Sequence, residues 1–238
     1  MAAKYAAWSA YNYVVGNPIK FIDADGREVG DPVNNPQISN DNQGKNHNRY
    51  YDPSLNRGTR SGGARPHWGI DIFASKGTPL QSVLGGVVVR VRDDFAPGRY
   101  KKNSTGNTIM IKSEVDGKVV YLSYGHLDKV DVKDKQIVKA GEVIGQTGNT
   151  GNAAGVGEAN YHVHIQAYEG GTAAPNRDTK DPGDTVNPEK YLTTKFDKDG
   201  NAIPTGAAPT ITPPDNVLYT PPSNFPETQS KPPPTKVQ

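Results

Sequence analysis

Between residues 67 and 168 the chain is a succession of short runs rich in β-branched residues: GIDIFA, LQSVLGGVVVRVR, NTIMIKSEV, KVVYLSYG, QIVKAGEVIGQTG and YHVHIQAY. Each is bounded by turn-forming residues, and none carries apolar side chains at the 3.6-residue period of an amphipathic helix. Glycines such as Gly85, Gly86, Gly106, Gly117 and Gly148 mark the ends of these runs, where a sheet must turn or its strands approach closely. The pattern predicts an all-β fold, a compact antiparallel sheet.

The flanks read differently. Near the N-terminus, Asp25-Gly26 lies between two β-favouring runs and predicts a hairpin turn, as does the later FDKDGNAIP. Residues 31 to 66 are dense in Asn, Asp, Gly, Pro and Arg and predict an irregular connection over a surface, with His47 a solvated loop residue. Ten of the 20 prolines lie in residues 204 to 238, a composition that favours extended, solvated chain.

Composition narrows the chemistry. The chain has no cysteine, so disulfides and thiolate ligands are excluded and a transition metal must be held by histidine and carboxylate. Its 27 basic and 25 acidic residues leave a formal charge of +2, too balanced for the basic field of a dedicated nucleic-acid binder. No run approaches the roughly 18 apolar residues of a membrane span, and the N-terminus lacks a signal-peptide pattern.

In Asn160–Tyr168, written NYHVHIQAY, polar and apolar residues alternate. On a strand His162, His164 and Gln166 therefore share one face, with Val163, Ile165 and Ala167 on the other. A lone histidine on an apolar strand is usually a satisfied core residue; two on the polar face point to metal binding. A second cluster, HWGIDIFASKGTPL, offers His67 and Asp71. On an ideal strand these would stand roughly 13 Å apart, so sharing an ion requires a bend, which Gly69 permits. Ile70 and Ile72 would anchor Asp71 to the core. Three protein ligands with one open position is the arrangement of a catalytic zinc. In YLSYGHLDKV the strand is expected to end at Gly125, displaying His126 at the mouth of the same cleft. Trp68 could line a substrate groove or cap the core, with packing slightly favoured. The Arg99-Tyr100-Lys101-Lys102 cluster reads as solvated surface.

HWGID, YGHL and HVH, in that order, with GTPL after the first and IGQTGNTGNAAG before the last, resemble the motifs of the lysostaphin and LytM-type zinc metallopeptidases over roughly residues 57 to 192. The resemblance implies a barrel-sandwich hybrid of the duplicated hybrid motif type with a zinc cleft across the sheet. It also implies Zn2+ held by His67, Asp71 and His164, with His126 and His162 as non-ligand catalytic histidines. The reaction implied is hydrolysis of peptide bonds in bacterial peptidoglycan. The segment with YNYV, GNPI and DADG resembles the end of an Rhs (YD-repeat) associated core, departing by one residue in each of the latter two. That resemblance implies the toxin domain of a polymorphic toxin, delivered to a target cell's periplasm or wall, with an immunity protein as partner.

The domain organisation expected is thus an Rhs-core remnant at 1–30, an irregular connection at 31–56, the metallopeptidase domain at 57–192 and a proline-rich tail at 193–238. The domain is expected to be a monomeric part of a larger chain, with peptidoglycan peptides as its partners. Two other readings compete: a catalytically latent wall-binding module, which the intact histidines and Asp71 argue against, and a zinc peptidase acting on a non-wall protein.

Overall fold

The computed structural model describes residues 30–176 and 179–204 of the 238-residue chain. The Asp25–Gly26 hairpin and the proline-rich tail from residue 205 onward lie outside the described residues. Among the described residues the only helices are 3-10 turns, and the architecture is all-β with every named strand pair antiparallel.

A small ribbon comes first, β1 (Thr59–Arg60) paired with β2 (Arg65–Pro66). The nine-stranded sheet follows: β3 (Ile70–Phe73), β4 (Pro79–Gln81), β5 (Gly86–Arg92), β6 (Asn107–Val115), β7 (Lys118–Val130), β8 (Ile137–Val138), β9 (Val143–Thr147), β10 (His162–Glu169) and β11 (Thr185–Val186). Its main path runs β11-β10-β7-β6-β5-β8, while β3 pairs with β10 and β9 joins β4 to β7.

Alternation builds the core. In β6, Ile109 and Ile111 are fully buried while Thr108 and Met110 are partly exposed, and in β10, Val163, Ile165 and Ala167 are fully buried between partly exposed His162, His164 and Gln166. Ile70 and Ile72 of β3 join the same core and fix Asp71 between them.

Residues 31 to 66 do lack long elements, but they pack into the domain. Val33 and Ile38 belong to the core, Ile38 bridges Ile72, and the Ser39 N–H donates to the Asp71 carbonyl at 2.9 Å. His47 is consequently not a solvated loop residue. It is 8% exposed within a 3-10 turn, Lys45–Asn48, and burial lowers its pKa so that the neutral ring is favoured.

A second correction concerns β7. The strand does not stop at Gly125 but continues to Val130, and His126 lies within it. Asn107 pairs with Leu127 and Ile109 with Tyr124, so Gly125 and His126 together oppose Thr108. This is a bulge, and it sets His126 in the left-handed region at φ 66°. The extra residue bends β7 so that its far end turns from β10 to pair with β9.

Of the later segment, FDKDGNAIP turns as expected: Phe196 bridges Ala202, and Gly200 takes φ 78°.

Candidate metal centre

The register of one strand pair assembles the site. Antiparallel pairing of β3 with β10 sets Asp71 directly opposite His164, with Ile70 opposite Ile165 and Ile72 opposite Val163. Both apolar pairs point into the core, so Asp71 and His164 share the other face. His67 arrives from the end of β2, and the chain bends at Gly69 before entering β3. That bend brings His67 Nε2 to 3.3 Å from Asp71 Oδ1 across four residues.

The three residues converge closely. His67 Nε2 lies 3.2 Å from His164 Nδ1, and His164 Nδ1 lies 2.7 Å from Asp71 Oδ1. Nitrogen and oxygen donors around a tetrahedral zinc, each at about 2.0–2.2 Å, would stand about 3.4 Å apart, and two of the three edges match that spacing. One ligand atom from each residue falls within 4.8 Å of the others.

Hydrogen bonds fix the rings. Arg49's carbonyl accepts from His67 Nδ1 at 3.0 Å, which leaves the Nε2 lone pair facing the cluster. Thr150's carbonyl accepts from His126 Nδ1 at 2.9 Å and Asn160's from His162 Nδ1 at 2.8 Å, so both of these histidines keep the lone pair at Nε2, that of His162 lying 3.7 Å from Asp71 Oδ2. The ring centroids of His126 and His162 are 5.1 Å apart, and those of His126 and His164 are 6.0 Å apart.

Burial controls the charge states. It lowers the pKa of His67 and of His126 to about 3, with the Arg60 cation adding to the effect at His67 and neighbouring histidines at His126. His164 is also lowered, again by burial first, although hydrogen bonding to Asp71 opposes the shift. Burial works the other way on Asp71, but the Arg60 guanidinium and the surrounding histidines prevail and hold its carboxyl well below the usual range. Neutral imidazoles around an ionised carboxylate are the donor types that a divalent cation takes.

These residues line a cleft of about 250 Å³. All five residues expected to act together, His67, Asp71, His126, His162 and His164, line it. Trp68 both packs and lines: its ring meets Tyr51 edge-on at 5.4 Å, and it also borders the cleft. Arg60 was not foreseen. Its Nη2 lies 2.9 Å from His67 Nε2 and contacts Asp71 Oδ2, while Nη1 contacts Asn48 Oδ1. A guanidinium seated among these donors is a stand-in cation, and together with the donor spacing it makes the residues present a fit for zinc. Nothing in the run NRGTRSGG marks Arg60, since its proximity to the site comes from the ribbon's placement. The carbonyls of Arg49, just after the Lys45–Asn48 turn, and of Thr150, in the loop after β9, are likewise unmarked in the sequence.

A cleft floored by an antiparallel sheet, with two imidazoles and a carboxylate converging beside two further imidazoles, defines a metallohydrolase-type site. Residues 65–176 match the model of peptidase family M23. Three curated relatives illustrate the similarity. An uncharacterized metalloprotease of Haemophilus influenzae is 33% identical over 123 residues, 52% of this chain and 23% of its own length. The peptidoglycan DD-endopeptidase ShyA of Vibrio cholerae is 38% identical over 101 residues, 42% of this chain and 20% of its own. Lysostaphin of Staphylococcus staphylolyticus is 34% identical over 100 residues, 42% of this chain and 18% of its own. The chain thus spans about a fifth of the length of these relatives.

Proposed function

We propose that this chain is a zinc-dependent endopeptidase that cuts peptide bonds in bacterial peptidoglycan. The observation that carries the reading is the convergence of His67, Asp71 and His164 on one point, with the free Nε2 atoms of His126 and His162 on the same cleft wall. The similarity to a DD-endopeptidase and to lysostaphin supports the substrate class.

In this reading His67 Nε2, His164 Nδ1 and the Asp71 carboxylate would hold the ion, His164 Nδ1 giving up the proton it now donates to Asp71. Zinc held there would supply Lewis acidity to the scissile carbonyl and lower the pKa of the attacking water. One of His126 and His162 accepts the water's proton at its free Nε2, and the other steadies the charge developing on the carbonyl oxygen. Burial keeps His126 neutral, leaving its Nε2 lone pair unprotonated, while opposing the charge the ring would take on as a base. The backbone carbonyls of Thr150 and Asn160 hold the two rings in the tautomer this requires.

The proposed organisation keeps an Rhs-core remnant at 1–30, a connection at 31–56, the peptidase at 57–192 and a tail at 193–238, with Val33 and Ile38 of the connection and Phe196 at the start of the tail packed into the peptidase core. The YNYV, GNPI and DADG run supports delivery as the toxin domain of a larger Rhs chain to a target cell's periplasm or wall, with an immunity protein as partner.

Mass spectrometry of the soluble fragments released from purified peptidoglycan, with zinc and with a chelator, tests the proposal. Chelator-sensitive stem or cross-link fragments are the expected result and would name the bond. Zinc binding without any released fragment would count against a wall substrate.

A further inference from the structure

Arg60 stands inside the donor cluster, and the reaction proposed above makes no use of it. Its Nη2 donates to His67 Nε2 at 2.9 Å and to Asp71 Oδ2, and its Nη1 donates to Asn48 Oδ1. Of the groups that touch Asp71, only this guanidinium is charged irrespective of pH. Asp71 is 3% exposed, so without a cation beside it the carboxylate would be a buried, uncompensated charge.

The decisive point is the valence of one atom. With Nδ1 committed to the Arg49 carbonyl, His67 has a single lone pair, at Nε2. That lone pair accepts from Arg60 or binds a metal ion, never both. Arg60 must therefore leave its present contacts before the ion can be held.

The surroundings permit that movement. Arg60 ends β1, and the turn that follows, Ser61 to Ala64, is exposed; Gly62 and Gly63 there take φ 66° and 91° with open space around them. The base of the ribbon is held, since His67 N–H donates to the Gly58 carbonyl at 2.6 Å and Gly58 N–H to Asn46 at 2.7 Å. A second anion is within reach: Asp41 Oδ2 lies 3.6 Å from Arg60 Nη1.

We propose that Arg60 is a displaceable resident cation. It pairs with Asp71 in the metal-free chain, competes with metal loading, and withdraws toward Asp41 and Asn48 when the ion enters. This rests on the reading of His67, Asp71 and His164 as metal ligands.

The test uses the full 238-residue chain, stripped with a chelator, and zinc alone as the probe. Zinc affinity is measured by competition with a chromophoric chelator, and thermal unfolding is followed with and without zinc. Arg60→Gln is expected to bind zinc about tenfold to a hundredfold tighter, the equivalent of one lost charge-assisted hydrogen-bond pair in the competing state. Its metal-free Tm is expected to fall, so zinc raises its Tm more than that of the parent chain. Arg60→Lys keeps the charge but loses the fork, and its affinity should lie between the two. Arg65→Gln, on the same ribbon, should leave affinity unchanged.

Equal or weaker zinc affinity in Arg60→Gln overturns the proposal, as does a shift of the same size in Arg65→Gln. If Arg60→Gln fails to fold without zinc, Arg60→Lys decides: tighter binding supports the proposal, equal or weaker binding overturns it. One common affinity across all chains removes the role of Arg60 and leaves the metal site standing. Absence of zinc binding in every chain, the parent included, removes the metal-site reading and this proposal with it.

Discussion

Gly69→Ala is the sharpest test of how backbone approach builds the site. A Cβ at this position would lie 2.5 Å from the Ile165 carbonyl oxygen, 2.7 Å from His164 Cε1 and 2.9 Å from His164 Nε2. None of these neighbours yields cheaply. Ile165 is fully buried in a strand paired on both sides, by β3 and by β7, and His164 is held by its bond to Asp71. Relief must come from moving β3 off β10 or from rotating the His164 ring. Overpacking of this kind costs about 1–3 kcal/mol, a fall in Tm of roughly 2–12 °C for a domain of this size. Displacing His164 should also weaken zinc binding by about tenfold to a hundredfold, the usual effect of disturbing what orients a ligand. Gly157→Ala is the control, since a Cβ there meets nothing within 4 Å. Thermal unfolding and zinc competition on the two variants supply the measurement. A Gly69→Ala chain with parental Tm and parental zinc affinity would refute the claim that close approach at Gly69 sets the position of His164.

Other outcomes follow from the same geometry. His164→Ala is expected to abolish zinc binding and peptidoglycan hydrolysis together. His126→Ala should keep zinc, seen by competition titration, while losing about 10²–10⁴-fold in turnover. Arg49→Ala removes a buried side chain that donates to Glu189 at 2.8 and 2.5 Å and to the Asp197 carbonyl at 2.6 Å. It leaves Glu189 with only the 3.5 Å ion pair to Arg57 Nη1, at a cost of up to about 3–5 kcal/mol measurable by urea denaturation. At Glu169, hydrogen bonds from Lys190 and then Tyr191 lower the carboxyl pKa. A depressed carboxyl contributes stability above its unfolded pKa and loses it as pH falls through the folded value. Glu169→Gln should therefore flatten the acid limb of the stability profile below about pH 4.3.

The parts of the fold and site that were legible in the sequence are those governed by local periodicity. Alternation in His162–Ala167 fixed which face carried the histidines, and a buried Ile on each side of Asp71 fixed its direction. The four-residue separation of His67 and Asp71 required a bend, and Gly69 was the residue able to provide one. What stayed illegible depends on distant pairing. His126 read as a residue beyond the end of a strand because Gly125 looked like a terminator, whereas pairing with both β6 and β9 carries the chain through as a bulge. His47 read as solvated because its neighbours are polar, yet the segment around it is pinned to β3 through Ile38 and Ser39. Arg60, at the end of β1, and the Arg49 carbonyl, just after the Lys45–Asn48 turn, reach the cluster only through tertiary packing.

The bulge at Gly125–His126 shows why a strand, rather than a loop, suits this histidine. Regular pairing would send every second residue of β7 to the same face, and Tyr124, fully buried, already points into the core with its hydroxyl accepting from the Val83 N–H at 2.9 Å. By parity Gly125 would hold the cleft-facing position and His126 would fall on the core side. One extra residue breaks that parity. It lets His126 line the cleft while Leu127, fully buried, returns to the core, and β7 stays continuous on both sides of the break. A left-handed backbone at a non-glycine residue costs of order 1–3 kcal/mol, and it persists here because its surroundings over-determine it. The His126 N–H donates to the Thr105 carbonyl at 2.7 Å, and its ring is tied to Thr150. Both partners come from the loops that bound the cleft, so the position of His126 is coupled to the position of the cleft walls. A side chain on a free loop would lack that coupling, and the distance between His126 and the β10 histidines would then vary with loop motion rather than follow from strand register.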